Sequence, residues 1–458
     1  MASITKGLQS EVKSNKKIMS FCFGGRMYKM KKVSMFLVLT LIFSFSFSGC
    51  SRSTSTSSDN KVKKIQFMET LTSPERTKFV NELIADFESK NKDIKVELIS
   101  EPWEQAHDKI VVLSAADQLP DVIELGANWV SEIGATGKLE DLEPYLNEYE
   151  DKDTLSESGL KLGKAFKDTQ YVIPHSLYFQ AMYYRNDWLK KANLDVPKTI
   201  DDFTNAAAKL TDKEKNEYGY AFRGGAGNWT LMSNFMMTNG GFTNYFDEDG
   251  KCVLRKPEAL EGFKKFTDMY FNSAPKDSLN WGYAETVNAF TTGSAGLLIQ
   301  DSEVAVTAAQ KMEKGTFETG LCPVGPDGKR YIAGGYIGLS MTSASENKEA
   351  VWKFISYMVS PEVSLKWGKK NSVIPITKSA FEDPYFKEGY ISAYTKTLED
   401  PNTVMFYGPE YLPEWGEFTS KIVVEQLQGY LLKKQTAEET LDYISTYLET
   451  ANDKYNEK

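Results

Sequence analysis

Hydrophobic positions change period along this chain, and the changes divide it into elements. Ile65-Gln66-Phe67-Met68 is a short apolar run that predicts a buried strand. From Glu75 to Asn91, Phe79, Leu83, Ile84 and Phe87 recur at helical spacing on one face. Ile94, Val96 and Leu98 alternate with polar residues, as one face of a strand does. Trp103 to Ala115 is again helical, with Ile110, Val111 and Leu113 apolar, and Leu119 to Leu125 predicts a third strand opening on Gly126. Strand, helix, strand, helix, strand predicts an α/β layer with a parallel sheet. Ligands of such sheets bind beyond the carboxyl ends of the strands, which nominates Glu69, Glu124 and the segment Gly126 to Trp129.

A second region starts near Tyr171. The run Leu177 to Tyr184 is apolar and aromatic, and Thr199 is placed to cap a helix ending near Leu210. Gly224 to Asn228 reads as a glycine-rich loop, and Asp247 to Lys251 as a solvated turn whose spacing is incomplete for a calcium loop. A helix at Pro257 to Asn272, strands at Ala295 to Ile299 and Leu339 to Met341, and a helix at Lys348 to Val359 follow. Trp415 to Tyr430 and Ala437 to Tyr455 are amphipathic and close the chain. Trp188, Trp352 and Trp367 fall within helical patterns and are assigned to packing.

Ahead of this body lies one apolar stretch, residues 33–47, preceded by Lys29, Lys31 and Lys32. It is shorter than the roughly 20 residues a membrane-spanning helix needs. With small residues after it, it reads as a secretory signal beginning at Met30, and residues 1–29 as an upstream extension. Ser48-Gly49-Cys50 resembles a bacterial lipobox, in which the cysteine carries lipid and becomes the first mature residue; Phe47 departs from the leucine usual there. Ser51 to Asn60 holds no apolar residue and reads as a flexible tether.

The net charge of −9 argues against a nucleic-acid partner, which calls for a basic face. Beyond Cys50 only Cys252, Cys322, His107 and His175 could offer soft metal ligands, with no paired spacing, so no metal site and no cofactor are expected. The two cysteines are read as buried free thiols. No HExxH, GxSxG or phosphate-loop pattern occurs, so no catalytic residue is nominated.

Several segments, in order, resemble the extracellular solute-binding proteins of ABC importers, in the large sugar-binding branch. They are Leu119-Pro120-Asp121-Val122 after Ser114-Ala115-Ala116, Tyr184-Arg185-Asn186-Asp187, Pro197-Lys198-Thr199, Phe290 to Gly296, Gly334-Gly335 and Asn347 to Ile355. The resemblance implies an α/β, two-lobed periplasmic-binding-protein-like (type II) fold with the ligand cleft between lobes. Residues 61–173 plus 332–378 would form one lobe, and 174–331 plus 379–458 the other. It further implies a monomer, lipid-anchored through Cys50 on the extracellular face of a bacterial membrane, that closes on a carbohydrate and hands it to a permease.

Sugars present apolar faces and a rim of hydroxyls, which aromatic and polar side chains cover in turn. Carried onto this chain, the family pattern places Glu69, Asn128, Trp129, His175 and Tyr178 at the cleft from the first lobe and first crossing. Arg223, Trp229, Trp281, Asp301 and Glu303 come from the second lobe, Gly335 and Tyr336 from the second crossing, and Trp415 from the C-terminal part. Where relatives often place an aromatic after the strand ending at Ile299, this chain has Gln300-Asp301-Ser302-Glu303, which points to polar contacts. A different polar solute, such as a polyamine or a metal complex, is the competing ligand class, and a carbohydrate-active hydrolase the competing activity.

Overall fold

The structure, a computed structural model, describes residues 62–457; the signal segment, Cys50 and the tether lie outside them. Among the described residues eleven strands occur in order: β1 Lys63–Glu69, β2 Ile94–Ser100, β3 Val122–Gly126, β4 Ile173–Tyr178, β5 Ala181–Arg185, β6 Tyr218–Tyr220, β7 Ala295–Gln300, β8 Phe317–Gly320, β9 Arg330–Ala333, β10 Gly335–Met341 and β11 Thr403–Phe406. They form a five-stranded sheet β2-β1-β3-β10-β4, a four-stranded sheet β6-β7-β5-β8 and a two-stranded pair β11-β9.

The first sheet is covered on both faces, and strand alternation decides what each residue meets. Ile65 and Phe67 of β1 pack on one side with Val80, Leu83 and Phe87 of helix α1 (Pro74–Lys90) and with Phe354 and Ile355. Met68, Ile123 and Leu125 face the other side, against Ala106 and Ile110 of α2 (Trp103–Ala115) and Val130 and Ile133 of α3 (Ala127–Ala135). Ser73 caps α1, its Oγ accepting from the Arg76 amide, with Pro74 in the first turn. The second lobe packs around its own core, in which the C-terminal helices share. Thr199 and Asp202 form a capping box on the helix Ile200–Lys209.

The first sheet differs from the expected all-parallel arrangement: β1 runs parallel to β2 and β3, whereas β10 is antiparallel to β3 and β4. Connectivity gives the reason. β1, β3 and β4 run toward the second lobe, and β10 brings the chain back from it, so it enters at the same edge and runs the other way. That strand also begins at Gly335, earlier than its apolar core Leu339–Met341 suggests. The chain passes between lobes through Phe179 and Gln180, joining β4 to β5, through Gly334, joining β9 to β10, and a third time between Ile376, in the first-lobe core, and Phe386, in the second.

Candidate functional site

Strand ends of the two lobes meet along a seam. On the first lobe these are the carboxyl ends of β1, β3 and β4 and the start of β10; on the second, the end of β7 and the segment after β6.

Beneath the first-lobe edge lies a buried charge network. Arg76 Nη1 donates to Glu69 Oε2 at 3.2 Å and Nη2 to Glu124 Oε1 at 2.5 Å. Its guanidinium also sits over the Trp367 ring, 4.7 Å from the centroid. Glu69 accepts further from Thr77 Oγ1 (2.5 Å) and Ser100 Oγ (2.7 Å), and Glu124 from the Thr70 amide (2.9 Å). Burial raises the Glu124 carboxyl, but Arg76 and His175 outweigh it and hold it at about 2. His175 Nε2 stands 3.0 Å from Glu124 Oε1 and donates to that ionised carboxylate, and Nδ1 lies 2.8 Å from Ser176 Oγ. Glu69 and His175 therefore have their polar atoms engaged inside the first lobe.

Across the seam stand Asp301 and Glu303. Tyr178 Oη donates to Glu303 Oε1 at 3.0 Å, and Gln180 Nε2 to Asp301 Oδ1 at 2.7 Å. Gln180 Oε1 accepts from Asn234 Nδ2, and Asn234 Oδ1 accepts from the Ala333 amide, so the first two crossings are tied to one asparagine. Burial pushes Asp301 up to about 6, against the Gln180 hydrogen bond and the Arg223 charge. Burial likewise lifts Glu303 to about 7, against the pull of Arg76 and Tyr178. Arg223 Nε donates to the Ala226 carbonyl at 2.6 Å, and its guanidinium packs over Gly227, where a Cβ would collide with it and φ is +80°. Trp281 bonds Asp277 through its ring nitrogen and holds the glycine-rich segment through its carbonyl, which accepts from the Gly225 amide.

An aromatic group fills the remainder. Trp103 stacks on Trp129 at 4.1 Å, a close approach that Gly126 permits, since a Cβ there would strike the Trp103 ring. Trp229 packs against Tyr245 (5.7 Å), Phe418 (4.9 Å) and Trp415 (6.1 Å). Asn128 Nδ2 donates to Thr419 Oγ1 at 3.2 Å, and Ser131 Oγ to the Glu410 carbonyl, joining α3 to the C-terminal segment. Trp129 and Trp229, which the sequence places beside asparagines in glycine-containing loops, instead both lie in the first turn of helices, at 2% and 4% exposure. Gly227, at φ +80°, turns the chain into the helix that carries Trp229, whereas Gly126 is extended and leaves room for the Trp103 ring.

Tyr178, Asp301 and Glu303 are thus directly linked or adjacent, with Arg223 in electrostatic reach of Asp301. Trp129, Tyr336, Trp229 and Trp415 lie among the aromatic contacts and buried side chains between α3 and the C-terminal segment. Tyr178 and Gly335 also line an apolar cavity of about 610 Å³ beside the crossings, with Leu177, Phe179, Ile374 and Met405, which neither Asp301 nor Glu303 reaches. Arg76 and Glu410 were absent from the sequence-level candidates. Arg76 had no signal but its charge in a helix start; Glu410 had only its place in a proline-flanked turn before Trp415. Among the described residues no cluster of three or more His, Cys, Asp or Glu could hold a metal ion, and Cys252 and Cys322 are free and buried.

Residues 72–364, more than half of the chain, match the family described as bacterial extracellular solute-binding protein. A maltotriose-binding protein of Pyrococcus abyssi is 26% identical over 64% of this chain and 62% of its own length. The sn-glycerol-3-phosphate-binding periplasmic protein of Escherichia coli K12 is 27% identical over 57% of this chain and 62% of its length, so the chain spans less than two thirds of either relative. A solute-binding protein of an ABC transporter from Thermotoga lettingae, solved with α-D-tagatose, superposes with a TM-score of 0.75 at 22% identity, covering 85% of this chain and 99% of that one. With two lobes, a seam rimmed by strand ends and this match, the chain belongs to the bacterial extracellular solute-binding protein family.

Proposed function

We propose that this protein captures a carbohydrate outside the cell, between its two lobes, and delivers it to the permease of an ABC importer. The observation that carries the reading is the composition of the seam: aromatic rings from both lobes beside carboxylates and an arginine, with Tyr178 and Glu303 bonded across it. Rings cover the apolar faces of a sugar, while carboxylates and amides take its hydroxyls. Asp301, Glu303, Tyr178, Arg223 and Trp129 are the contacts proposed for the ligand. Glu69 and His175 act one step behind, by fixing Arg76 and Glu124. Closure turns on the crossings at Phe179–Gln180 and Gly334, and the ligand favours the closed form by contacts that only this form completes. The similarity to proteins named for maltotriose and tagatose supports a sugar.

The anchor belongs to the same proposal: Cys50, lipidated, keeps a monomeric body near its permease. No reaction step is assigned, since a carrier releases its ligand unchanged. A thermal-shift screen with mono- and oligosaccharides, followed by calorimetry, tests the reading, because a ligand specific to the native state raises the melting temperature. Response to polyamines or metal chelates and to no sugar would overturn it, as would turnover of an oligosaccharide.

A further inference from the structure

Arg223 is 6% exposed, and its charge has no direct partner. Its Nε donates to the Ala226 carbonyl at 2.6 Å, while Nη1 and Nη2 form neither a hydrogen bond nor an ion pair among the described residues. Arginine keeps its proton in proteins, so the charge stays. Burial pulls its pKa below the ordinary value, and the attraction of Asp301 and Glu104 does not restore it. Asp301 leaves the sheet at the same edge, since β6 runs parallel to β7 with Tyr220 beside Leu297, but its Oδ1 accepts from Gln180. Glu285 caps its own helix by accepting from the Gly282 amide, and Glu104 is exposed.

The guanidinium lies against a second positive end. Nη1 and Nη2 are so close to Gly227 that a Cβ there would collide with both. Gly227 is the N-cap of the helix Asn228–Gly240, whose 13 residues have no side-chain cap and no acid in the first turn. The Asn228 amide donates to the Gly225 carbonyl, but the Trp229 and Thr230 amides have no acceptor among the described residues. Such a helix end carries about half a positive charge. A buried cation beside it is repelled, and an anion seated at both would turn the repulsion into attraction. The loop holds this arrangement in place. The Gly224 and Gly225 amides donate to the Ser278 and Trp281 carbonyls, and a Cβ on either glycine would strike the backbone of Leu279 to Trp281.

We propose that Arg223 and the start of the helix Asn228–Gly240 together seat a carboxylate of the ligand, so that the carbohydrate captured is a sugar acid such as a uronate. Two free Nη groups in one plane match the two oxygens of a carboxylate. One full charge and about half of another balance a carboxylate more closely than a phosphate, which carries about −1.5 to −2. Asp301 and Glu303 remain the acceptors for the hydroxyls of the same ligand. This rests on the carbohydrate reading and names its class, setting the chain apart from the relatives named for maltotriose and for sn-glycerol 3-phosphate.

Calorimetry on the purified protein tests it with matched probes: D-glucuronate against D-glucose, D-galacturonate against D-galactose, and trigalacturonate against its methyl ester. Maltotriose is a further uncharged probe, and D-glucose 1-phosphate and sn-glycerol 3-phosphate are the phosphate probes. At least one uronate should bind, at least about tenfold more tightly than its uncharged counterpart, as expected of hydrogen bonds between charged groups. Arg223→Met should abolish that preference, and Arg223→Lys, which keeps the charge without the planar fork, should retain part of it. The comparison of acid with uncharged counterpart needs no variant, so it decides even where a variant fails to fold. An uncharged sugar bound as tightly as any uronate, a phosphate probe bound more tightly than every uronate, or a preference unchanged in Arg223→Met overturns the assignment and leaves the carbohydrate reading standing. Failure of every carbohydrate probe, charged or not, overturns the carbohydrate reading itself.

Discussion

Tyr178 Oη, at the end of the last first-lobe strand before the crossing, donates to Glu303 Oε1 beyond β7 of the second lobe, at 3.0 Å. This bond spans the seam, and under the proposed function it belongs to the closed form. Tyr178→Phe should weaken ligand binding by about 1.5 kcal/mol, roughly tenfold, with little change in the melting temperature of the ligand-free protein. Calorimetry as a function of pH sharpens the test. Because Glu303 titrates near 7, the loss should grow as pH rises through that value and the acceptor ionises. Equal affinities for wild type and variant at all pH would show that the bond has no part in closure.

The carboxyls of the seam also set a direction for stability against pH. Asp301, Glu303 and Glu410 are raised by burial to about 6, 7 and 8, so each holds its proton more tightly in the native state than in the unfolded chain. Their stabilising contribution is full below the ordinary carboxyl range and is lost as pH climbs through the folded values. Glu124, held at about 2, acts oppositely: its contribution is present above the ordinary range and is lost as pH falls toward 2. The ligand-free melting temperature should therefore be highest near about pH 4.5 and decline toward pH 8. Differential scanning calorimetry across that range checks it, and Glu303→Gln should flatten the decline. A melting temperature that rises from pH 5 to 8 would contradict the burial of these groups.

Arg76 is the cation between two fully buried carboxylates, Glu69 and Glu124. Removing it leaves both charges without their partner, a change that costs about 3–5 kcal/mol in buried pairs. Arg76→Met should lower stability by that order, measured by denaturant unfolding, and should cost more than Glu69→Gln. Near-neutral stability of Arg76→Met would mean that protonation of a carboxyl absorbs the loss, visible as a new pH dependence between about 5 and 8.

Much of the scaffold was legible in the pattern of residues, because local periods carry it. The helical faces of α1 and α2, the Thr199 cap and the packing of Trp367 all follow from spacing within one element. The direction of β10 was not legible, since it depends on the route of the chain through the other lobe. Arg76 escaped for a related reason: an arginine after Ser-Pro-Glu in a first helical turn reads as a solvated charge. Its burial comes from Glu124, 48 residues away. Glu410 depends likewise on Ser131 of the opposite lobe. Sites assembled from distant segments leave little local trace, whereas single elements do.

Trp229 shows the same limit from the side of energetics. As a loop aromatic at a cleft it would contribute to ligand binding and little to stability. Its indole instead meets Tyr245, Phe418 and Trp415 at 4% exposure, joining the helix Asn228–Gly240 to the C-terminal segment. Truncating a buried aromatic removes its burial and leaves a cavity, at a cost of about 3–5 kcal/mol. Trp229→Ala should accordingly lower the ligand-free melting temperature, and any loss of binding should partly follow from misplacement of Trp415. Trp229→Phe, which keeps most of the packing, separates the two effects. It should recover most of the stability in thermal unfolding, and recovered stability without recovered affinity would identify the indole itself as a ligand contact.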